Sequence, residues 1–513
     1  PFKLTIGLTP VLVEQLRDPL INDHFVGYVE GRVAAAELDV ARAKVARQDQ
    51  LGVLAEFYRR FYSDVLAQYR GRFDSNIVGA FKSLQESGHI EIATSAATHG
   101  YLPLVDRDST IAAQIGVGVQ AYTATFGRKP TAIWLPECAY RPSYTRSDDA
   151  ASYVKPGLER FLAEQGLRVF FSETHTVEGG RPVGKAAGDA IGPYGNVPRR
   201  YLVPTPEYRE PTNRTTFQPY WVAGVDVAVI GRNNRTGLQV WSGEHGYPGD
   251  YEYREFHKKH GESGMQYWRV TGRQVDLADK DEYRPERAQE RVRDHARHFA
   301  ALVEEQIGDY HRSSGGYGIV SAAYDTELFG HWWFEGIDWI REVLRLLSRS
   351  ETVDLTTASE YISQHPPEDV LSLPESSWGQ SGNHFTWLNV DTEWMWPVIH
   401  DAERRMERLV AAHGNSVGTR AQVLKQAARE ALLLQSSDWP FLVTTGQARE
   451  YAASRFQSHV ERFEQLATLL EQGADDATAA SLADDLYDRD RLFGDIDPSL
   501  FREREGVAIA PKR

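Results

Sequence analysis

Cysteine and long apolar runs are nearly absent from this sequence of 513 residues. Cys138 is its single cysteine, which excludes a disulfide within the chain and a cysteine-rich metal site. No apolar run reaches about 18 residues, the length typical of a membrane-spanning helix, so no membrane partner is expected. Sparing use of cysteine is typical of reducing compartments, and we predict a cytoplasmic location.

Positive charge is also in deficit, whereas aromatic residues are abundant. The chain carries 57 Lys and Arg against 72 Asp and Glu, a net charge of −15, which disfavours nucleic acid and anionic membranes as partners. Several of the 12 Trp residues stand in polar stretches such as "GHWWFEG" and "TEWMWP", where a place in the core explains them less easily. Because flat aromatic rings suit the flat CH faces of sugars, a neutral carbohydrate is a candidate ligand.

Short apolar runs alternate with helical patterns, and this order predicts a parallel sheet covered by helices, the α/β class. The predicted strands cover residues 2–10, 89–100, 131–137, 167–175, 225–233, 238–242 and 317–325. The predicted helices cover residues 108–126, 155–166, 284–308 and 336–348. We also predict a helical insertion at about 20–88, a loop excursion at 176–222 and an all-α domain over 366–513.

Polar side chains follow the ends of several predicted strands: His99, Glu137, Glu173, Arg232 and Asp325. In parallel α/β barrels this carboxyl edge is where active sites are built, so these residues are candidates for one site. Glu137 and Asp325 are the sharpest pair, because two carboxylates facing each other are the usual apparatus for cleaving a glycosidic bond. A separation of about 5–5.5 Å supports retention and about 6.5–9.5 Å supports inversion, and the sequence leaves this open. The alternative is that each acid caps a helix or pairs with an Arg.

Other possible sites are less specific. The pairs His257/His260 and His295/His298, the second on a predicted helix, have no acidic third ligand at matching spacing, so solvated charged faces are the simpler interpretation and no metal is predicted. "GVGVQA", which begins at Gly116, lacks the third glycine of a dinucleotide-binding turn. Cys138 is better explained as a small buried neighbour of Glu137 than as a nucleophile.

"WLPECAYRP" (134–142) and "AYDTELFGHWWFEG" (323–336) together resemble the nucleophile and acid/base motifs of glycoside hydrolase family 57, above all those of its 1,4-α-glucan branching enzymes. Matching stretches include "ATSAATHGYLPL", "SGMQYWRVTG", "SSWGQSGNHFTWLN" and "LLLQSSDWPFL". The resemblance extends from near residue 2 to about residue 500 and follows the family's order.

The resemblance implies an incomplete (β/α)7 barrel with a helical insertion and a C-terminal all-α domain. Residues 1–365 are then the catalytic barrel, and residues 366–513 contribute to the glucan cleft. It implies a retaining mechanism without metal or organic cofactor, in which Glu137 is the nucleophile and Asp325 the general acid/base.

The resemblance also implies glucan contacts at seven further positions: Arg232, Gly249, Trp378, Asp438, His99, Trp268 and Trp387. Structural alternatives remain for several of them. Arg232 could form an ion pair, Gly249 a turn, the Trp378 and Trp387 rings part of a core, and Asp438 a helix cap.

The activity that the resemblance implies is cleavage of an α-1,4 linkage and transfer of the segment to a 6-hydroxyl, which makes an α-1,6 branch in glycogen or another α-glucan. The alternatives are a 4-α-glucanotransferase or α-amylase-type hydrolase on the same scaffold, and a non-catalytic glucan-binding protein. A metal-dependent polysaccharide deacetylase is a remote further possibility. The family's first motif, a His-x-His-Leu-Pro-Tyr-type strand, has no counterpart before the first strand here, so we expect a segment carrying it to precede Pro1.

Overall fold

Helices and short strands alternate along the computed structural model of this chain, which describes residues 2–147, 152–182, 191–192, 195–196, 208–241, 246–473, 476–504 and 507–508. The strands are β1 Leu4–Gly7, β2 Ile90–Ala93, β3 Ala132–Ile133, β4 Tyr144–Ser147, β5 Ser152–Lys155, β6 Val169–Ser172, β7 Ile191–Gly192, β8 Gly195–Asn196, β9 Tyr220–Val222, β10 Ala228–Gly231, β11 Val370–Leu371 and β12 Val507–Ala508. The helices are α1 Pro10–Arg17, α2 Pro19–Ala46, α3 Asp49–Ala67, α4 Ile77–Glu86, α5 Asp108–Phe126, α6 Leu158–Glu164, α7 Thr174–Glu178, α8 Asn234–Trp241, α9 Pro285–Ser314, α10 Gly336–Leu347, α11 Ala358–Gln364, α12 Met395–His413, α13 Thr419–Leu433, α14 Asp438–Thr445, α15 Arg449–Gln472 and α16 Asp476–Arg489.

The chain divides into two units, each assembled from separate segments. Unit 1 comprises Pro1–Thr5, Leu16–Glu91 and Arg232–Thr357, and unit 2 comprises Ile6–Gln15, Ile92–Gly231 and Ala358–Arg513. The predicted boundary between residues 365 and 366 stays a prediction.

A five-stranded sheet in unit 2 has the strand order β11-β9-β10-β6-β3. Strands β3, β6 and β10 run parallel, with Val169 opposite both Ala132 and Ala228. Helix α5 covers this sheet because its buried residues, such as Ile111 and Ile115, belong to the same apolar cluster as Phe170. The α/β class is therefore confirmed. Strand β9 is antiparallel to β10, a feature that the sequence did not predict.

The C-terminal part of unit 2 is helical, as expected. Helices α12, α13, α15 and α16 share an apolar core that includes Leu432, Phe456 and Phe463, each at most 1% exposed. Unit 1 has its own core, in which α2 and α3 contribute Ala36, Leu54 and Tyr58. Helix α2 begins after Asp18, whose carboxylate accepts hydrogen bonds from the backbone N–H groups of the first turn. Residues 20–88 contain α2, α3 and α4, and their role as an insertion stays a prediction.

Two predicted strands are wrong. Residues 238–241 belong to helix α8. The side chain of Asn233 caps this helix, because it accepts a hydrogen bond from the Thr236 backbone N–H at 2.9 Å. Residue 242 lies outside the described residues. Residues 317–325 form no regular strand and make a single parallel bridge, between Ser321 and Arg232. Of the predicted excursion at 176–222, residues 183–190, 193–194 and 197–207 are likewise outside the described part.

None of the helices in the described part of the chain combines the length and the apolar character that crossing a membrane requires.

Candidate active site

Glu137 lies in unit 2, in a short turn at Pro136–Cys138 that follows strand β3. Its backbone is left-handed, with φ of 60° and ψ of 22°, and Cys138 beside it has φ of 50°. Such angles cost a non-glycine residue about 1 kcal/mol or more and persist only where surrounding contacts hold them. One such contact is the hydrogen bond from the Trp378 backbone N–H to the Glu137 carbonyl, at 3.1 Å.

Two side chains donate hydrogen bonds to the Glu137 carboxylate. Trp378 Nε1 donates to Oε2 at 2.9 Å, and Ser437 Oγ donates to Oε1 at 2.9 Å. His99 Nδ1 lies 3.6 Å from the same Oε1. The Glu137 side chain is 10% exposed. A carboxylate held at both oxygens, with a small open face, has a defined direction in which it can attack.

Burial raises the pKa of the Glu137 carboxyl group above its ordinary value. His99 and the hydrogen bonds from Trp378 and Ser437 oppose this shift because they stabilise the ionised form, while the nearby charge of Asp438 adds to it. The balance between burial and donors thus controls how much of this group is ionised.

His99 also has a left-handed backbone, with φ of 57°. Its carbonyl accepts a hydrogen bond from the Ser437 backbone N–H at 3.0 Å, and its Nδ1 lies 2.9 Å from Ser437 Oγ. Ser437 therefore contacts both His99 and Glu137. The sequence prediction did not single out Ser437, although it lies inside the family-like stretch "LLLQSSDWPFL".

Asp438 is exposed and is the first residue of helix α14. Its Oδ2 is 3.4 Å from Ser436 Oγ. A carboxylate in the first turn interacts favourably with the helix dipole, but the N-cap residue of α14 is Ser437, so Asp438 is not the helix cap that the alternative named.

The two predicted Trp contacts in unit 2 differ in their surroundings. Trp378 packs against Trp134, with 5.1 Å between ring centroids. Trp387 is 0% exposed and stacks on Tyr101 at 4.2 Å, so the structure places its ring in the core. A direct sugar contact by Trp387 stays a prediction.

Cys138 is buried, and its thiol donates to the Phe171 carbonyl at 3.5 Å.

Unit 1 holds the second group of predicted residues. Arg232 Nη2 donates to the Ala323 carbonyl at 3.0 Å, and this contact holds the segment that leads into Asp325. Tyr324, which lies between Ala323 and Asp325 in the chain, donates a hydrogen bond from its hydroxyl to the Thr236 carbonyl at 2.9 Å. Asp325 is half-buried and precedes a short turn at Thr326–Leu328, so its carboxylate lies where a chain reversal begins.

Gly249 and Trp268, also in unit 1, occupy turn and loop positions. Gly249 ends the turn Tyr247–Gly249, in agreement with the alternative of a turn glycine. The Trp268 ring lies under the Lys258 ammonium group, 4.5 Å from Nζ to the ring centroid. One face of this ring is thus already engaged by a cation.

The histidine pairs that resembled metal ligands have protein partners. His257 Nδ1 lies 3.1 Å from Glu255, His260 Nδ1 lies 3.0 Å from Ser263 Oγ, and the paired histidines of α9 bond to tyrosine hydroxyls at 2.8 and 2.7 Å. Each of these histidines therefore has a partner within the protein. The predicted solvated face does not describe His295, whose side chain is only 14% exposed.

A carboxylate–histidine trio in unit 2, Glu430, His459 and Asp490, has ligand atoms close enough for one metal ion. Its members are already paired. His459 Nδ1 lies 2.7 Å from Glu430, and Arg462 lies 2.6 Å from Asp490. The arginine supplies the positive charge that a metal would otherwise bring, so one His–Glu hydrogen bond and one Arg–Asp ion pair within the protein account for the trio.

Two family models match this chain. Residues 34–374 match glycosyl hydrolase family 57, and residues 398–501 match the C-terminal region of 1,4-alpha-glucan branching enzymes. The chain belongs to glycosyl hydrolase family 57. The predicted family resemblance is confirmed.

Individual relatives agree with this placement. A 1,4-alpha-glucan branching enzyme of Thermococcus kodakarensis is 43% identical over 471 residues, which are 91% of this chain and 66% of that protein. Its crystal structure matches with a TM-score of 0.86 over 99% of this chain and 88% of that chain, at 40% identity. The branching enzyme of Pyrococcus horikoshii matches with a TM-score of 0.85 at 40% identity, over 99% of this chain and 88% of that chain. An alpha-amylase of Thermotoga maritima, at 28% identity, matches with a TM-score of 0.81 over 98% and 90% of the two chains. Since the chain spans 66% of the Thermococcus relative's length, the activity of the whole protein belongs to the proposal below.

Proposed function

We propose that this protein is a retaining 1,4-α-glucan branching enzyme. The observation that carries the proposal is the Glu137 carboxylate, which is buried, held by donors at both oxygens and presented from a left-handed turn. Its surroundings occur in a family 57 chain whose C-terminal region is of the branching-enzyme type. The comparisons favour this activity over hydrolysis and disproportionation, since both archaeal relatives at 40% identity are branching enzymes.

The proposed reaction has two steps. A Glu137 carboxylate oxygen bonds to the anomeric carbon while the α-1,4 C–O bond breaks, and Asp325 gives its proton to the departing 4-oxygen. The Asp325 carboxylate then takes the proton of an acceptor 6-hydroxyl, whose oxygen bonds to the same carbon and releases Glu137. Two inversions give net retention, and the new bond is an α-1,6 branch.

The remaining features belong to the same proposal. We propose that residues 1–365 form an incomplete (β/α)7 barrel and that residues 366–513 contribute to the glucan cleft. The glucan contacts would come from His99, Arg232, Gly249, Trp268, Trp378, Trp387 and Asp438. A glycogen-like polymer is the proposed substrate, and the buried single thiol of Cys138 is compatible with a cytoplasmic location.

Incubation with amylose tests the activity. Branching predicts falling iodine colour, new linkages sensitive to a debranching enzyme and nearly constant reducing ends. A rise in reducing ends that parallels the loss of iodine colour, without such linkages, would instead support the hydrolase alternative. This alternative is tested because the chain is also similar to the Thermotoga alpha-amylase.

Azide rescue tests the two roles separately. With an activated α-glucosyl substrate, azide should restore turnover to Glu137→Gly and give the β-glucosyl azide, because azide attacks the face that the nucleophile has vacated. Azide with Asp325→Gly should give the α-glucosyl azide, because the covalent intermediate still forms. The opposite pairing of products would exchange the roles, and wild-type rates in both variants would refute them.

A further inference from the structure

Ser437 is the one residue that hydrogen-bonds to both His99 and Glu137 in the described part of unit 2. Its hydroxyl oxygen lies 2.9 Å from His99 Nδ1 and 2.9 Å from Glu137 Oε1. Its side chain is completely buried, so water does not compete for either contact. Neither the sequence motifs nor the proposed chemistry assigns this residue a role.

The hydroxyl group carries a single proton, and this decides the direction of both hydrogen bonds. An ionised Glu137 carboxylate can only accept, so Ser437 must donate its proton to Oε1. The Ser437 oxygen then accepts from His99, whose Nδ1 must carry a proton. In a neutral imidazole the other nitrogen, Nε2, is then an acceptor.

We propose that Ser437 is a positioning residue that keeps Glu137 ready for attack and holds His99 as the Nδ1–H tautomer, with Nε2 free to accept a glucan hydroxyl. This inference rests on the proposed function, because it concerns the reaction of Glu137 with a glucan. The chain runs from His99 Nδ1–H through the Ser437 hydroxyl to the Glu137 carboxylate.

Backbone contacts make the arrangement stiff. The Ser437 N–H donates to the His99 carbonyl at 3.0 Å, so the hydroxyl and the imidazole are fixed to each other twice. Both His99 and Glu137 adopt left-handed backbone angles, which neighbouring contacts must maintain. These contacts fix all three side chains relative to one another, as an efficient site requires.

The pH profile of kcat/KM for branching reports the first half of the proposal. Ser437→Ala removes a donor to the ionised carboxylate, so kcat/KM should fall about 10- to 100-fold and its acidic limb should move up by about one pH unit. The other groups that act on Glu137 are His99, Asp438 and Trp378, and they are unchanged in the variant. Ser437→Thr, which keeps the hydroxyl, should recover part of the activity and the wild-type limb.

A matched control is Ser109→Ala. Ser109 is also fully buried and donates its hydroxyl to a carboxylate, Glu407, at 2.5 Å, but it belongs to helix α5 and contacts none of the candidate residues. It should lower the melting temperature to a similar extent and leave the pH limb in place. An unshifted acidic limb in Ser437→Ala, or an equal shift in Ser109→Ala, would refute the positioning role.

Nitrogen-15 NMR of the histidine-labelled protein without substrate tests the second half, with the His99→Gln variant to assign the signals. The His99 signals should be those of the Nδ1–H tautomer in the wild type, and this preference should be lost in Ser437→Ala. An Nε2–H tautomer in the wild type would overturn the proposal. Because this measurement needs no turnover, it stays informative even if the wild type makes no branches, an outcome that would refute the proposed function alone.

Discussion

Replacing Trp378 by phenylalanine would remove one hydrogen bond from Glu137 while keeping an aromatic ring in place. The lost contact is Trp378 Nε1 to Oε2, at 2.9 Å. Trp378 is 9% exposed, so water can restore the donor only poorly. The ring packing on Trp134 should largely survive.

The expected size follows from the charge on the acceptor. A hydrogen bond to a charged group contributes about 1.5–3 kcal/mol, which corresponds to about a 10- to 150-fold loss in kcat/KM at pH values below the acidic limb, where the reaction is limited by the ionised fraction of Glu137. Loss of this bond also raises the pKa of Glu137, because the bond stabilises the carboxylate and not the acid. This adds to the upward shift that burial already causes.

The sign of the pH effect is therefore defined. The acidic limb of kcat/KM should move to higher pH, so the variant loses most activity at low pH and least at high pH. The assay is branching of amylose over a series of pH values, with branch points counted after debranching. Trp396→Phe is the matched control, since the buried Trp396 Nε1 donates instead to a neutral group, the Trp387 carbonyl, at 3.0 Å. A wild-type acidic limb in Trp378→Phe would refute the reasoning.

Three further predictions concern stability and cofactors. Burial, helped by the positive charge of Arg209, lowers the pKa of His175 from 6.5 to about 4. Between these pH values the unfolded chain binds the proton more tightly, so the free energy of unfolding should fall by up to about 3 kcal/mol as the pH drops through this range. Urea unfolding of the wild type and of His175→Gln at several pH values checks this, and an equal dependence of the unfolding free energy on pH in both proteins would contradict it. Gly118→Ala should cost about 1–3 kcal/mol because its Cβ would overlap the Ser95 carbonyl oxygen, which belongs to the backbone. Gly116→Ala would come closest to the flexible Leu500 side chain, at 3.2 Å, and should be nearly neutral in thermal unfolding. Dialysis against EDTA should leave amylose branching unchanged, and a loss restored by added metal would revive the deacetylase-type alternative.

Local patterns were sufficient for much of the fold. The alternation of buried apolar runs with helices predicted the parallel pairing of β3, β6 and β10, since fully buried strands read as continuous apolar stretches. The pattern was ambiguous at 238–241, where a few apolar residues suit a strand or a helix equally. In the structure, the Asn233 side chain caps this segment and thereby stabilises the helix. The three-residue strand β9 was too short and too polar in context to be recognised.

By itself, the sequence determined the α/β class, the family and the two candidate carboxylates, because these depend on periodicity and on short motifs whose residues are neighbours in the chain. Only the tertiary structure decided which side chains donate hydrogen bonds to the Glu137 carboxylate. Its two donors stand 241 and 300 residues away, in Trp378 and Ser437. Contacts between such distant segments depend on the path of the whole backbone, which patterns of neighbouring residues do not predict.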